Sequence, residues 1–148
     1  MHDPYNLFRF VEAQDSVYEQ VLAELRQGRK TSHWMWFVFP QIQGLGHSYM
    51  AQQFAISSLE EAKSYLQHPI LGPRLRECTK LVNDTSGRTI HQIFGYPDDL
   101  KFHSCMTLFA QATEEEDVFQ KALRKYFSNE PDTLTVERMR AINGTPEV

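Results

Sequence analysis

Apolar residues in this chain recur at intervals of three and four positions, which is the spacing of one face of an α-helix. The first such stripe contains Val17, Val21, Leu22 and Leu25. Asp15 or Ser16 can cap its start, and Gly28 follows its end, where a residue that tolerates a positive φ is favoured. The pattern therefore predicts an amphipathic helix over residues 15–27.

The apolar run WMWFVF at residues 34–39 has no polar face. Ser32 is a suitable N-cap for a helix over residues 33–39, and Pro40 ends it because the residue before a proline avoids helical geometry. Aromatic residues and valine also favour strands, but no other segment offers a partner strand of comparable strength. The run therefore predicts a short helix that is buried on all sides.

Helical patterns joined by short polar segments continue to the C-terminus. They predict helices over residues 49–55, 58–67, 69–82, 89–94, 97–111, 115–127 and 134–142. Ser48 and Ser58 are suitable N-caps for the first two, and Gly95 ends the helix over 89–94. Together the patterns predict one compact, all-α, multihelical domain over residues 1–148, with 143–148 as a disordered tail.

Composition narrows the classes of partner. The 148 residues carry a formal net charge of −4, so no positive field favours nucleic acid or a membrane surface. The N-terminus lacks the pattern of a secretory signal and no apolar run is long enough to span a bilayer, which predicts a cytoplasmic protein. Cys78 and Cys105 lie on apolar stripes and are expected to be buried thiols. Both a monomer and a dimer are compatible with this composition.

The turn between two predicted helices is a candidate anion site. Gly44 and Gly46 leave the backbone open to a ligand, and the helix after Ser48 presents unpaired N–H groups with positive dipole character. A small molecule that carries a phosphate is the expected ligand. Alternatively, the glycines only supply the backbone angles of a tight turn.

His33 and Trp36 lie three positions apart on one face of the predicted helix. An indole can stack on a base and an imidazole titrates near neutrality, so Trp36 is a candidate binding residue and His33 a candidate catalytic residue. Trp34 is the alternative stacking residue. Core packing of both indoles, with a solvated histidine at the helix start, is the structural alternative.

Two further charged residues belong to the candidate site. Asp99, near the start of the helix over 97–111, can orient a water or a ribose hydroxyl as a general base, or it is only a structural carboxylate at the positive helix end, where Asp98 can cap. Arg74 can clamp a pyrophosphate in bidentate fashion, or it lies on a solvated face with Glu77 as its partner. No HxxxH, HExxH or CxxC spacing is present, so neither a metal site nor a cofactor is expected.

Five stretches carry a resemblance to a known family. They are NLFRFVEAQ at 6–14, SHWMWFVFPQIQGLGHS at 32–48, YLQHPILGPRLREC at 65–78, IFGYPDDLKFHSCMTLFA at 93–110 and KYF at 125–127. Through them the chain resembles the mostly bacterial domain-of-unknown-function family 1810. The resemblance implies a compact multihelical fold with two buried central helices, which the helices over 33–39 and 98–111 would provide. It implies no catalytic mechanism.

A shorter stretch, YMAQQF at 49–54 followed by EAK at 61–63, is similar to part of the signature of small helical N-glycosidases that process ADP-ribose-type substrates. The Glu-His that precedes the corresponding tyrosine in those enzymes is absent here, and so is their C-terminal tryptophan-glycine region. The similarity suggests an ADP-ribose-like ligand. Because of these two differences it does not carry over catalytic residues.

Two functions are compatible with these observations. In the first, the protein binds or converts a nucleotide-like anionic ligand held by the 44–48 turn, a tryptophan and Arg74, with His33 and Asp99 as polar groups. In the second, it is a non-enzymatic protein-interaction module with a demanding helical core. Convergence of the candidate residues in one cleft would favour the first function, and their dispersal over separate faces would rule it out.

Overall fold

The computed structural model describes residues 2–143, so residues 144–148 of the predicted tail lie outside it. Its α-helices are α1 (Phe8–Asp15), α2 (Tyr18–Arg26), α3 (Met35–Val38), α4 (Tyr49–Gln53), α5 (Leu59–Gln67), α6 (Leu71–Asp84), α7 (Ile90–Phe94), α8 (Asp98–Gln111), α9 (Val118–Phe127) and α10 (Thr133–Asn143). Within this part of the chain, the only β-type pairing is an isolated parallel bridge between Ile42 and Ile56. The predicted all-α, multihelical fold is confirmed.

Helix α8 lies at the centre of the fold. Its buried apolar residues are Phe102, Cys105, Met106, Leu108 and Phe109. Helices α5, α7, α9 and α10 pack around it. Such burial follows from the sequence, because residues 104–109 include no charged side chain. The predicted central position of this helix is confirmed, and its bounds, Asp98–Gln111, agree with the predicted 97–111 to within one residue.

The other predicted central helix is shorter than expected. Helix α3 begins at Met35, and Trp34 rather than Ser32 occupies its N-cap position. The Ser32 hydroxyl donates a hydrogen bond to the buried carboxylate of Glu24, which also accepts from the backbone N–H groups of Thr31 and Ser32. These bonds hold the chain before α3 in a non-helical path, so Ser32 is not available as a cap.

The N-terminal region contains one helix more than the patterns predicted. Helix α1 ends at Asp15, and α2 begins only at Tyr18 without a side-chain cap, so neither Asp15 nor Ser16 has the predicted capping role. The carboxylate of Asp15 instead pairs with Arg74 at 3.0 Å. A tertiary ion pair has replaced the local capping bond.

Three other local predictions are confirmed. Ser48 accepts a hydrogen bond from the Ala51 N–H at the start of α4, and Ser58 caps α5 in the same way. Gly95 ends α7 with a φ of 75°, which favours glycine. These caps follow from sequence because each bond joins residues only a few positions apart.

Both cysteines are buried free thiols, as predicted. Burial raises the pKa of Cys78 to about 12 and holds the pKa of Cys105 well above its ordinary value. Thiolate, the nucleophilic form, is therefore scarce at neutral pH. This arrangement fits a core thiol and does not support cysteine-based chemistry.

Candidate functional site

A groove of about 340 Å³ lies where the segment after α3 and helix α4 meet the first halves of α8 and α10. Its apolar lining residues include Trp36, Leu45, Pro97, Leu100 and Leu134. Its polar lining residues include Gln41, His47, Ser48, Lys101 and Asp132. The groove thus combines apolar walls with a few polar groups, as small-molecule sites commonly do.

Trp36 and Lys101 form one wall of the groove. The Lys101 Nζ lies 4.9 Å from the centroid of the indole ring, within the range of a cation–π contact. The same Nζ lies 3.6 Å from Asp98 Oδ1, while Lys30 Nζ lies 2.7 Å from Asp98 Oδ2. Two lysines therefore share one carboxylate beside the half-buried indole, and a second carboxylate, that of Asp132, also lines the groove.

A second cavity, of about 330 Å³, lies beside the groove and shares Trp36, Pro97 and Lys101 with it. His33 lines this second cavity and does not line the groove. The imidazole is exposed. The predicted pair of His33 and Trp36 is thus close together, with Trp36 in contact with both spaces.

A third cavity, of about 390 Å³, lies on the other side of the 44–48 turn. It shares Gly46, His47 and Ala51 with the groove and is also lined by Gly44 and Arg138. Gly44 has a φ of 97°, so the turn needs glycine at that position. Gly44 thus has the structural role predicted for it, and the space that a side chain would occupy there is filled by the Arg138 guanidinium rather than left open.

The structure brings together only some of the candidate residues. Trp36, Gly46 and Ser48 line the groove, while Gly44 and His33 line the two cavities next to it. The Ser48 hydroxyl is already used as the cap of α4. The indole of Trp34 is in the core, so Trp36 is the tryptophan that a ligand can reach.

Arg74 and Asp99 are not among the residues that line these three cavities. Arg74 pairs with Asp15 and lies 4.6 Å from the centroid of the Tyr18 ring, at the contact between α6 and α2. Asp99 Oδ2 lies 3.1 Å from His91 Nδ1, and Asp99 Oδ1 accepts from the Leu100 N–H. Both side chains thus have partners in the fold itself.

Glu24 fixes the segment that leads into the groove. Its carboxylate accepts hydrogen bonds from the Thr31 N–H at 2.8 Å and from the Trp34 indole N–H at 3.0 Å. Burial by itself would raise the pKa of this carboxyl, but hydrogen bonds from Ser32, Thr31, Gln20 and Trp34 outweigh it and lower the pKa to about 2. A carboxylate thus anchors residues 31–34 and, through them, Trp36.

Arg9 fixes the chain on the other side of the groove, after α4. Its guanidinium donates to the carbonyl oxygens of Gln53 and Ala55, both at 2.8 Å, and pairs with Glu61 at 3.2 Å. Glu61 is buried and also accepts from the N–H and hydroxyl of Ser57. An ion pair between a half-buried arginine and a buried glutamate therefore holds the α4–α5 connection in place.

Sequence reasoning missed several of these residues. Glu24 lies within the apolar stripe of α2, and a charged residue at a buried position is a signal that it has specific partners. His47, Leu134 and Arg138 gave no such signal, because they reach the groove or the third cavity only through tertiary packing.

Two classes of site find no support in residues 2–143. No group of three or more His, Cys, Asp or Glu side chains there is arranged to hold a metal ion. No helix in the same range has both the length and the apolar character needed to cross a membrane.

Comparison with known proteins places the chain in a family. The model described as "Protein of unknown function (DUF1810)" matches residues 4–139. The crystal structure of the conserved hypothetical protein Rv1873 from Mycobacterium tuberculosis is similar, with a TM-score of 0.90 and 58% sequence identity over 91% of this chain and 96% of that chain. No curated protein matches the sequence. The resemblance seen in the sequence is thus confirmed, and the chain belongs to DUF1810, a family of proteins of unknown function.

Proposed function

We propose that the groove binds a small molecule that joins a flat ring to a phosphate group, of the nucleotide or ADP-ribose type. The observation that carries this proposal is the shared lining of one groove by Trp36, Gly46 and Ser48, which the sequence analysis had named as candidate ligand-binding residues. A volume of about 340 Å³ is in the range of small-ligand pockets.

The chemistry of the groove suits the two halves of such a ligand. The half-buried indole of Trp36 offers a face on which a base can stack. Lys101 beside it is the cation among the groove's lining residues and supplies a charge that can contact an anionic group of the ligand, although Asp98 and Asp132 lie nearby. Binding without catalysis follows the geometry most closely, because neither His33 nor Asp99 lines the groove itself.

The experiment is a thermal-shift titration of the full chain with AMP, ADP-ribose and NAD, compared between wild type and Trp36→Leu. A ligand that binds only the folded state raises Tm. We expect the variant to bind about tenfold more weakly or worse, because stacking on one aromatic side chain contributes roughly 1–3 kcal/mol per base. Phe8→Leu is the matched control, since Phe8 is an exposed aromatic residue on α1 that lines none of the three cavities.

Two outcomes would count against this proposal. One is that no ligand of the panel changes the Tm of the wild-type protein. The other is a ligand that binds wild type and Trp36→Leu with the same affinity, since the groove would then not be its site.

A protein-interaction role is the second candidate, and exposed apolar side chains favour it. Leu100 and Leu134 line the groove and are 56% and 65% exposed, while Tyr49 and Tyr96, each next to a lining residue, are 75% and 76% exposed. A cluster of exposed apolar residues marks many interaction surfaces. Under this alternative the nucleotide panel leaves Tm unchanged, and Leu134→Ser abolishes capture of a protein partner.

A further inference from the structure

Arg138 lies flat against the glycine turn next to the groove. Its Nε donates a hydrogen bond to the Gln43 carbonyl oxygen at 3.0 Å. The missing side chain of Gly44 makes this approach feasible, because a Cβ there would lie 2.1 Å from Nε and 2.9 Å from Nη2 of Arg138. Glycine at this position therefore serves the arginine as well as the backbone angle.

Arg138 differs from the other half-buried arginines of residues 2–142. Arg9, Arg74 and Arg76 each pair with a carboxylate, on Glu61, Asp15 and Asp117. Within this part of the chain Arg138 has no carboxylate partner, and its one hydrogen bond uses Nε. The terminal nitrogens, which form the fork that binds oxyanions, are thus not engaged by these residues.

The space beside this guanidinium is suitable for an oxyanion. It is the third cavity, of about 390 Å³, and His47 and Gln52 line it together with the two glycines. The Gln52 side chain is held by the His47 carbonyl oxygen at 2.8 Å. A polar, partly enclosed cavity next to a cation without a paired carboxylate is the arrangement expected of an anion subsite.

We propose that Arg138 and the 43–47 turn form a binding subsite for a phosphate or pyrophosphate group. The subsite adjoins the groove, because the two spaces share Gly46, His47 and Ala51. Leu134, one helical turn before Arg138 on α10, lines the groove itself. Only the identity of the rest of the ligand rests on the proposed function, in which the ring stacks on Trp36. In this arrangement Arg138 has the role that the sequence suggested for Arg74.

The test uses inorganic pyrophosphate, which carries the proposed group and no ring. The ¹⁵N-labelled full chain is titrated at constant ionic strength, and the dissociation constant is measured by calorimetry. We expect the largest amide shifts at Gly44, Gly46 and His47. Arg138→Met should weaken binding by about tenfold or more, since a hydrogen bond to a charged group contributes about that factor or more. Arg140→Met removes the same charge from an exposed position of α10 and should change affinity by less than about twofold.

Three results would overturn the assignment: unchanged affinity in Arg138→Met, equal losses in Arg138→Met and Arg140→Met, or amide shifts centred on Lys30 and Lys101. If Arg138→Met does not fold, two other measurements test the assignment. They are the position of the wild-type amide shifts and the affinity of Arg138→Lys, which keeps the charge and loses the fork.

Titration with adenosine, which has a ring and no phosphate, tests the proposed function separately from this inference. Loss of adenosine binding in Trp36→Leu supports the groove, whereas pyrophosphate binding that depends on Arg138 supports the subsite even if adenosine does not bind.

Discussion

Glu24→Gln lowers the free energy of unfolding at neutral pH by about 3 kcal/mol, since breaking up a buried charged network has an effect of this size. The carboxylate accepts bonds from Thr31, Ser32, Gln20 and the Trp34 indole. A glutamine has the same shape, but its NH2 group replaces one accepting oxygen. That NH2 is itself a donor and would face groups that also donate. Urea denaturation at pH 7 measures the loss.

The pH dependence of stability gives an independent check on Glu24. Its pKa is lowered from 4.5 to about 2 in the folded protein, so the folded state favours the ionised form. The resulting stabilisation is complete above about pH 4.5 and is lost as the pH falls through about 2. The difference in stability between wild type and Glu24→Gln therefore shrinks as the pH is lowered through this window.

Glu19→Gln is the matched control, because Glu19 is an exposed glutamate on the same helix. We expect it to change the free energy of unfolding by no more than about 0.5 kcal/mol. If Glu24→Gln were as stable as this control at pH 7, the hydrogen bonds to Glu24 would not be what anchors residues 31–34.

Arg9→Met lowers the free energy of unfolding by about 3 kcal/mol or more, because it leaves the buried carboxylate of Glu61 without its cation. It also removes the donors to the carbonyl oxygens of Gln53, the last residue of α4, and of Ala55, two positions further on. Since α4 residues line the groove and the third cavity, we also expect weaker ligand binding in this variant. Chemical denaturation and the nucleotide titration measure the two effects.

A double-mutant cycle isolates the Arg9–Glu61 pair from the other contacts of Arg9. Glu61→Gln on the Arg9→Met background should restore part of the lost stability, with a coupling energy of about 1–3 kcal/mol. Arg29→Met, at an exposed position, is the control for loss of an arginine charge. Additive effects of the two substitutions would show that the pair itself contributes nothing.

Local sequence signals were sufficient for most of the helices. Leu71, Leu75, Cys78 and Val82 are all buried on one face of α6, as their spacing predicted. Helix α8 begins within one residue of the predicted start and ends at the predicted residue. The failures occur where a distant group competes for a local donor or acceptor. Ser32 does not cap α3 because Glu24 binds its hydroxyl, and Asp15 does not cap α2 because Arg74 pairs with it.

In the candidate site too, residues that are neighbours in the sequence were identified, and a residue that arrives from a distant segment was missed. Gly44, Gly46, Ser48 and Trp36 were found from sequence because they lie within one continuous segment of the chain. From the sequence, Arg74 was proposed as the cation beside that segment. In the structure it is Arg138 that lies against the turn, and it is 95 positions away from Gln43, whose carbonyl oxygen it binds. No spacing rule relates residues so far apart, because only the packing of α10 brings them into contact.

The helical class, the buried stripes and the glycine turn could be predicted without the fold, since they depend on residue type and on neighbours within one or two helical turns. The fold was needed to show which tryptophan is accessible, which arginine lies at the turn and which carboxylates are buried. Each of those depends on contacts between segments far apart in the chain, and a buried polar group takes whatever partner the packing brings within hydrogen-bond distance.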